Sequence, residues 1–119
     1  MGIEINGIAQ LMKKLDKISS TATTEAVMKG VEKGCLRVEK DAKLKSPVDT
    51  GILRASITHK LEPSTLSATV GSTIEYAAIQ EFGGQHQDAH PFLYPALRDN
   101  RDNIKQDIIS ALQGALRGL

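Results

Sequence analysis

Apolar residues recur at helical spacing along three stretches of the chain and at a period of two along one stretch between them. Ile8, Leu11, Met12, Leu15 and Ile18 form one stripe behind a candidate N-cap at Asn6, which predicts a first helix. The Ser19–Thr24 run is rich in capping hydroxyls and breaks that pattern, and Glu25 favours the start of a second helix. From about Thr21 to Lys45 this longer helix carries Val27, Val31, Cys35, Val38 and Ala42 on one face. Gly30 and Gly34 share that side, each costing roughly 1 kcal/mol against Ala in a helix, so another backbone is expected to approach closely there. The remaining face mixes Lys29, Lys33, Arg37, Lys40 and Lys43 with Glu25, Glu32, Glu39 and Asp41 and reads as solvated.

The stretch Ser46–Ile57 turns the chain. Pro47 lacks an amide hydrogen and pushes Ser46 out of helical dihedrals. Asp49 and Thr50 can bond their own backbone two residues on, and Gly51 can take a positive φ. After Gly51 the period changes to two. Leu53, Ala55, Ile57, His59 and Leu61 point one way and Arg54, Ser56, Thr58 and Lys60 the other, which predicts a strand. A turn at Glu62–Thr65 leads to Leu66, Ala68 and Val70 on the second arm of a hairpin. A lone hairpin is not stable, so it must pack on the helices or pair with another chain.

Ser72-Thr73-Ile74-Glu75 has capping-box spacing and predicts a short helix, Glu75–Phe82, with Ala77, Ala78 and Phe82 available for packing and Gly83-Gly84 as its stop. Residues 85–90 read as an exposed polar loop. His90–Pro95 is expected to be extended between its prolines, and Pro95 suits the first turn of a last helix. That helix buries Leu97, Ile104, Ile108, Ala111, Leu112 and Ala115 and shows Arg98, Asp99, Arg101, Asp102, Lys105 and Asp107 to solvent. The expected class is α+β, helices packed on a small antiparallel β-sheet built around a hairpin.

Composition narrows the partners. At 119 residues the chain reads as one domain, 1–119, and with 3% aromatic residues its core must be aliphatic. Fifteen basic against 14 acidic residues, a formal charge of +1, argue against a surface built for nucleic acid or membrane. The single cysteine, Cys35, lies in a helical pattern and is expected to be a small buried apolar residue in a reducing compartment. No apolar run of signal-peptide or membrane-spanning type is visible, which predicts a soluble protein made in the cytoplasm.

Two arrangements suggest chemistry. Asp49-Thr50-Gly51 is the tripeptide of aspartic proteases, and a single copy would suit a retroviral-type homodimer sharing one proton between two carboxylates. Such enzymes are nearly all-β, whereas here the tripeptide follows a charged helix and a proline. His86 and His90 are four apart, but Gly83-Gly84 and Pro91 work against a helix between them, and with His59 and Cys35 they exhaust the soft ligands. No metal, cofactor or catalytic constellation is expected. A small regulatory domain using the Arg37–Lys45 helix on nucleic acid is a further alternative, opposed by the interspersed acids.

Four short blocks follow one another at fixed spacing: Ser46-Pro47-Val48-Asp49-Thr50-Gly51 with Leu53-Arg54 and Ser56-Ile57; Val70-Gly71-Ser72; Tyr76-Ala77 with Glu81-Phe82-Gly83; and Pro91-Phe92-Leu93 with Pro95-Ala96-Leu97. Over about residues 40–98 the chain resembles the small head–tail joining (neck, or tail-completion) proteins of long-tailed double-stranded DNA phages and prophages, of the HK-ninety-seven gene-ten-product type. Gly84 departs from the Thr or Ser expected after Glu-Phe-Gly. The resemblance implies a structural protein rather than an enzyme, assembling with itself in a ring and with neighbouring connector or tail proteins, in the virion and, during assembly, the host cytoplasm. DNA would pass nearby without specific binding, and the near-neutral charge suits a ring that DNA slides past. Gly84, Gln85, His86, Gln87 and Asp88 form a polar loop of the kind that orders on assembly, and are the candidate interface loop.

Overall fold

A computed structural model describes residues 2–5, 21–47 and 51–117. In chain order these form β1 (Gly2–Ile5), α1 (Thr21–Lys45), α2 (Ile52–Ser56), β2 (Thr58–Glu62), a 3-10 turn (Pro63–Thr65), β3 (Ser67–Gly71), α3 (Glu75–Phe82) and α4 (Leu93–Arg117). The architecture is α+β. The helix expected over residues 6–18 and the turn residues Asp49 and Thr50 lie outside the described residues.

The α1 stripe is the centre of the core: Val27, Val31, Cys35, Val38 and Ala42 are all fully buried. α4 runs antiparallel to it. Gly30 faces the backbone of Ile108, Gly34 faces Ile104, Asn100 donates to Asp41 at 2.9 Å, and Lys45 reaches Asp99 at 3.3 Å. At Gly30 the close approach is to backbone, as expected; at Gly34 it is to the Ile104 side chain. The α4 stripe buries Ile104 and Ile108, with Leu97 and Leu112 partly buried, and begins earlier than periodicity suggests, at Leu93 and Ala96.

The sheet packs Ala68 and Val70 into the same core. Its order is β1-β3-β2, antiparallel throughout, with Ile3 opposite Val70 and His59 opposite Val70 on the other side. β2 and β3 are the expected hairpin, closed by the 3-10 turn and by Leu66 at φ 51°. The hairpin does not stand alone: β1, which the sequence pattern did not reveal, pairs with β3, leaving β1 and β2 as edges.

Three local expectations need correction. The period-two run after Gly51 does not start a strand at Leu53; Ile52–Ser56 is helical, and the strand begins at Thr58. Leu53 and Ile57 are four apart as well as an even number apart, so helical spacing buries both, while Ala55 is exposed. Ser72 does not cap α3 from the expected position: Ile74 flanks the helix, and the Ser72 hydroxyl accepts from the Ile74 N–H at 3.2 Å, a local turn two residues on. α4 begins at Leu93, so Tyr94 and Pro95 are helical rather than extended, with Pro95 in the first turn as expected.

Candidate interaction surface

The motif residues gather at two junctions. At the first, α1 stops at Lys45, Ser46 donates its N–H to the Ala42 carbonyl and its hydroxyl to the Lys43 carbonyl, and Pro47 follows half-buried. Gly51 sits at φ 78°, the left-handed region that favours glycine, and its carbonyl accepts from Ala55 N–H to start α2. Leu53 is buried, and the Arg54 guanidinium returns to the Ser46 carbonyl at 3.4 Å, tying α2 to the end of α1. Arg54 Nε is buried without a hydrogen-bond partner.

The second junction joins α3 to α4. Glu81, at the end of α3, is 6% exposed and aims its carboxylate at the start of α4. Its Oε1 accepts from the N–H groups of Phe92 (3.0 Å) and Leu93 (2.8 Å), and its Oε2 from Tyr94 (3.1 Å). The next residue, Pro95, has no N–H to satisfy. The four amide positions that a helix start leaves without partners are therefore settled by one carboxylate and one proline, and the negative charge sits at the positive end of the helix dipole. Gly83 ends α3 at φ 81°, where a Cβ would come within 3.0 Å of Ala89 N. Between the two helices, Gly84 and Gln87 exchange backbone hydrogen bonds (2.8 and 3.4 Å), and His90 N–H donates to the Gln80 carbonyl at 2.7 Å. The loop Gly84–Asp88 is thus a tight turn with exposed side chains at Gln85, His86 and Asp88, and Pro91 is exposed beyond it.

This geometry corrects the role expected of Phe82. It is 74% exposed and does not pack; Glu81 pins the junction instead. With Glu81 held inward and Gly83 fixed in its turn, Phe82 is presented outward, in line with Tyr76 and Ile79, three residues apart on α3 and 39% and 41% exposed. Tyr94, whose N–H is bound by Glu81, is exposed in the first turn of α4, and Phe92 is fully buried. Sequence periodicity could not find the Glu81 clasp, because its donors lie 11 to 13 residues downstream.

The charged faces also depart from the solvated reading. Asp107, expected on the polar face of α4, is buried and held by Arg37 through two hydrogen bonds (2.6 and 3.1 Å), with Lys33 at 3.7 Å. That carboxylate holds the Arg37 guanidinium above its usual pKa. Lys43 pairs with Glu39, and Lys45 with Asp41 and Asp99, so much of the basic face of α1 is neutralised within the chain. Arg98, followed by Lys45, draws Asp99 below the usual carboxylate range. His59 Nδ1 is paired with Glu39 Oε2, which ties β2 to α1. Burial, with Glu39 and Glu32 nearby, pushes the Cys35 thiol up to about 12. Among the described residues no cluster of three ligating side chains could hold a metal, and no helix is long and apolar enough to cross a membrane.

Of the exposed large apolar residues, Tyr76, Ile79, Phe82 and Tyr94 lie on the two helices that meet at the α3–α4 junction and offer contact area to other proteins, while Leu36, Leu44, Ile52 and Leu116 lie elsewhere on α1, α2 and α4. The family model of the HK97-gp10-like proteins, assigned as a bacteriophage tail component, matches residues 9–83. The chain belongs to that family, and so to the structural proteins of the bacteriophage virion. No curated protein and no solved structure matches it significantly. The match extends further toward the N-terminus than the motif resemblance and ends at Gly83, so Pro91–Leu97 falls outside it. Glu81, the carboxylate that reaches into that block, falls inside.

Proposed function

We propose that this protein acts at the head–tail connector or tail end of a phage or prophage particle, assembling as a ring and joining neighbouring connector or tail proteins. One observation carries the reading beyond family membership. The chain has only four aromatic residues, and three of them, Tyr76, Phe82 and Tyr94, are exposed near one junction while Phe92 alone is buried. In a chain so poor in large apolar side chains, leaving these outside forgoes core stabilisation and suits burial against a partner. Gly84–Asp88 lies beside them and is assigned to the same interface. DNA would pass through the ring without specific binding, consistent with a basic α1 face already paired to its own acids. The role is mechanical, with no catalysis. Virion assembly would bring the protein from the host cytoplasm into the particle.

The test is complementation of a phage lacking this gene. Wild-type protein should restore joined particles in electron micrographs. Phe82→Ser, or replacement of Gln85–Asp88 by a Gly-Ser linker, should leave heads and tails unjoined while the melting temperature of the isolated protein changes little. Full plaque yield without the gene would rule the reading out.

A further inference from the structure

The two ends of the α1–α4 pair differ in a way that makes one the complement of the other. Near the start of α1 a groove of about 370 Å³ runs between that helix and the hairpin tip. Met28, Leu61 and Pro63 supply its apolar lining, and Glu25, Lys29 and Glu32 stand over it. Neither carboxylate forms an ion pair with a described residue, and the three charges leave the rim net acidic. The exposed aromatics sit toward the other end, because the first turns of α4 lie against the last turns of α1, as Lys45–Asp99 and Asp41–Asn100 show. Met28 and Lys45 are 17 positions apart on α1, a rise of roughly 25 Å. On α4 the residues Tyr94, Arg98, Arg101 and Lys105 follow at helical spacing and are all exposed, and Arg101 and Lys105 make no ion pair with a described residue. Across 98–105, three cations against Asp99 and Asp102 leave this face net basic.

We infer that a second copy of this chain seats Phe82 and Tyr94 in the Met28–Leu61–Pro63 groove, with Arg98 and Arg101 meeting Glu25 and Glu32. Apolar meets apolar and basic meets acidic, and the two patches are different surfaces at opposite ends. The contact is therefore heterologous, the kind that propagates and closes into a ring when its rotation permits. It names the self-contact within the ring proposed above and rests on that reading. Two exposed aromatics bury only a few hundred square ångströms, less than the roughly 800 Å² per partner of a stable pair, so a single contact is weak and ring closure adds the rest.

Sedimentation velocity of the full chain across a concentration series tests this with three proteins: wild type, Phe82→Ser, and Glu25→Lys/Glu32→Lys. All the altered positions are exposed, so each variant should keep the wild-type circular dichroism and melting curve. Wild type should self-associate with concentration, and each variant alone should associate at least about tenfold more weakly. Mixing the two variants should restore one intact contact and stop at a heterodimer. Adding Arg98→Glu/Arg101→Glu to the rim reversal should recover self-association. A monomeric wild type, variants that associate like wild type, or a mixture that stays monomeric would each overturn the contact. The tail role has its own readout: a wild type that never self-associates yet still restores joined particles would leave that role standing, with another tail protein as occupant of the groove.

Discussion

At Gly30 an added Cβ would lie 2.6 Å from Ile108 Cα and 3.1 Å from the Asp107 carbonyl oxygen, both backbone atoms that cannot turn aside. At Gly34 the nearest atoms belong to the Ile104 side chain, at 2.9 to 3.3 Å, which can shift. Gly30→Ala should therefore destabilise by about 1–3 kcal/mol, overpacking outweighing the roughly 1 kcal/mol gain in helix propensity, and Gly34→Ala by clearly less. Urea unfolding of the two variants checks the order. Cys35 gives a second residue-scale prediction. Its thiol is fully buried and raised from 9.0 to about 12, so the native protein should resist alkylating reagents at pH 8 and react only on unfolding. Above pH 9 the unfolded chain loses this proton while the folded chain keeps it, so stability should fall between about pH 9 and 12; Cys35→Ala should remove that part of the decline. The burial of Cys35 was legible from its place among Val31, Val38 and Ala42. What Gly30 meets was not, because the pattern of α1 says nothing about the height at which α4 crosses it.

The junction of α3 and α4 is where element boundaries depend on a contact between elements. Glu81→Ala would leave three backbone donors without their carboxylate, two of them in buried bonds, and should cost about 2–3 kcal/mol in urea unfolding, with Glu81→Gln costing less because its amide oxygen still accepts. Hydrogen exchange should quicken first at Phe92, Leu93 and Tyr94. The same contact explains why α4 starts at Leu93 although prolines flank that stretch: the proline at 95 removes a donor that would otherwise need a partner, and Glu81 serves the other three. α2 teaches a related lesson. Leu53 and Ile57 satisfy a period of two and a spacing of four alike, and the Gly51 carbonyl accepting from Ala55 N–H resolves the ambiguity in favour of a helix.

For the molecule as a whole, α1 and α4 lie antiparallel along a body 56 Å long, with the sheet on one side of α1 and the aromatic junction toward one end. Among the described residues, α1 precedes the Asp-Thr-Gly tripeptide and α2 follows it, where a dimeric aspartic protease has strands. Asp49→Asn should therefore leave phage complementation intact, and a peptide-cleavage assay of the wild type should read no turnover; cleavage abolished by Asp49→Asn would contradict the mechanical role. The amino-acid sequence by itself determined the extent of α1 and of α3, the β2–β3 hairpin, the α+β class and the family motifs, because each of these rests on local spacing and turn chemistry. Only the tertiary structure decided that β1 completes the sheet, that the buried Asp107 carboxylate pairs with Arg37 70 residues away, and that Phe82 faces outward. A hydrophobic pattern states that a side chain seeks burial, but which surface receives it, and whether that surface belongs to the same chain, is set by how the elements pack.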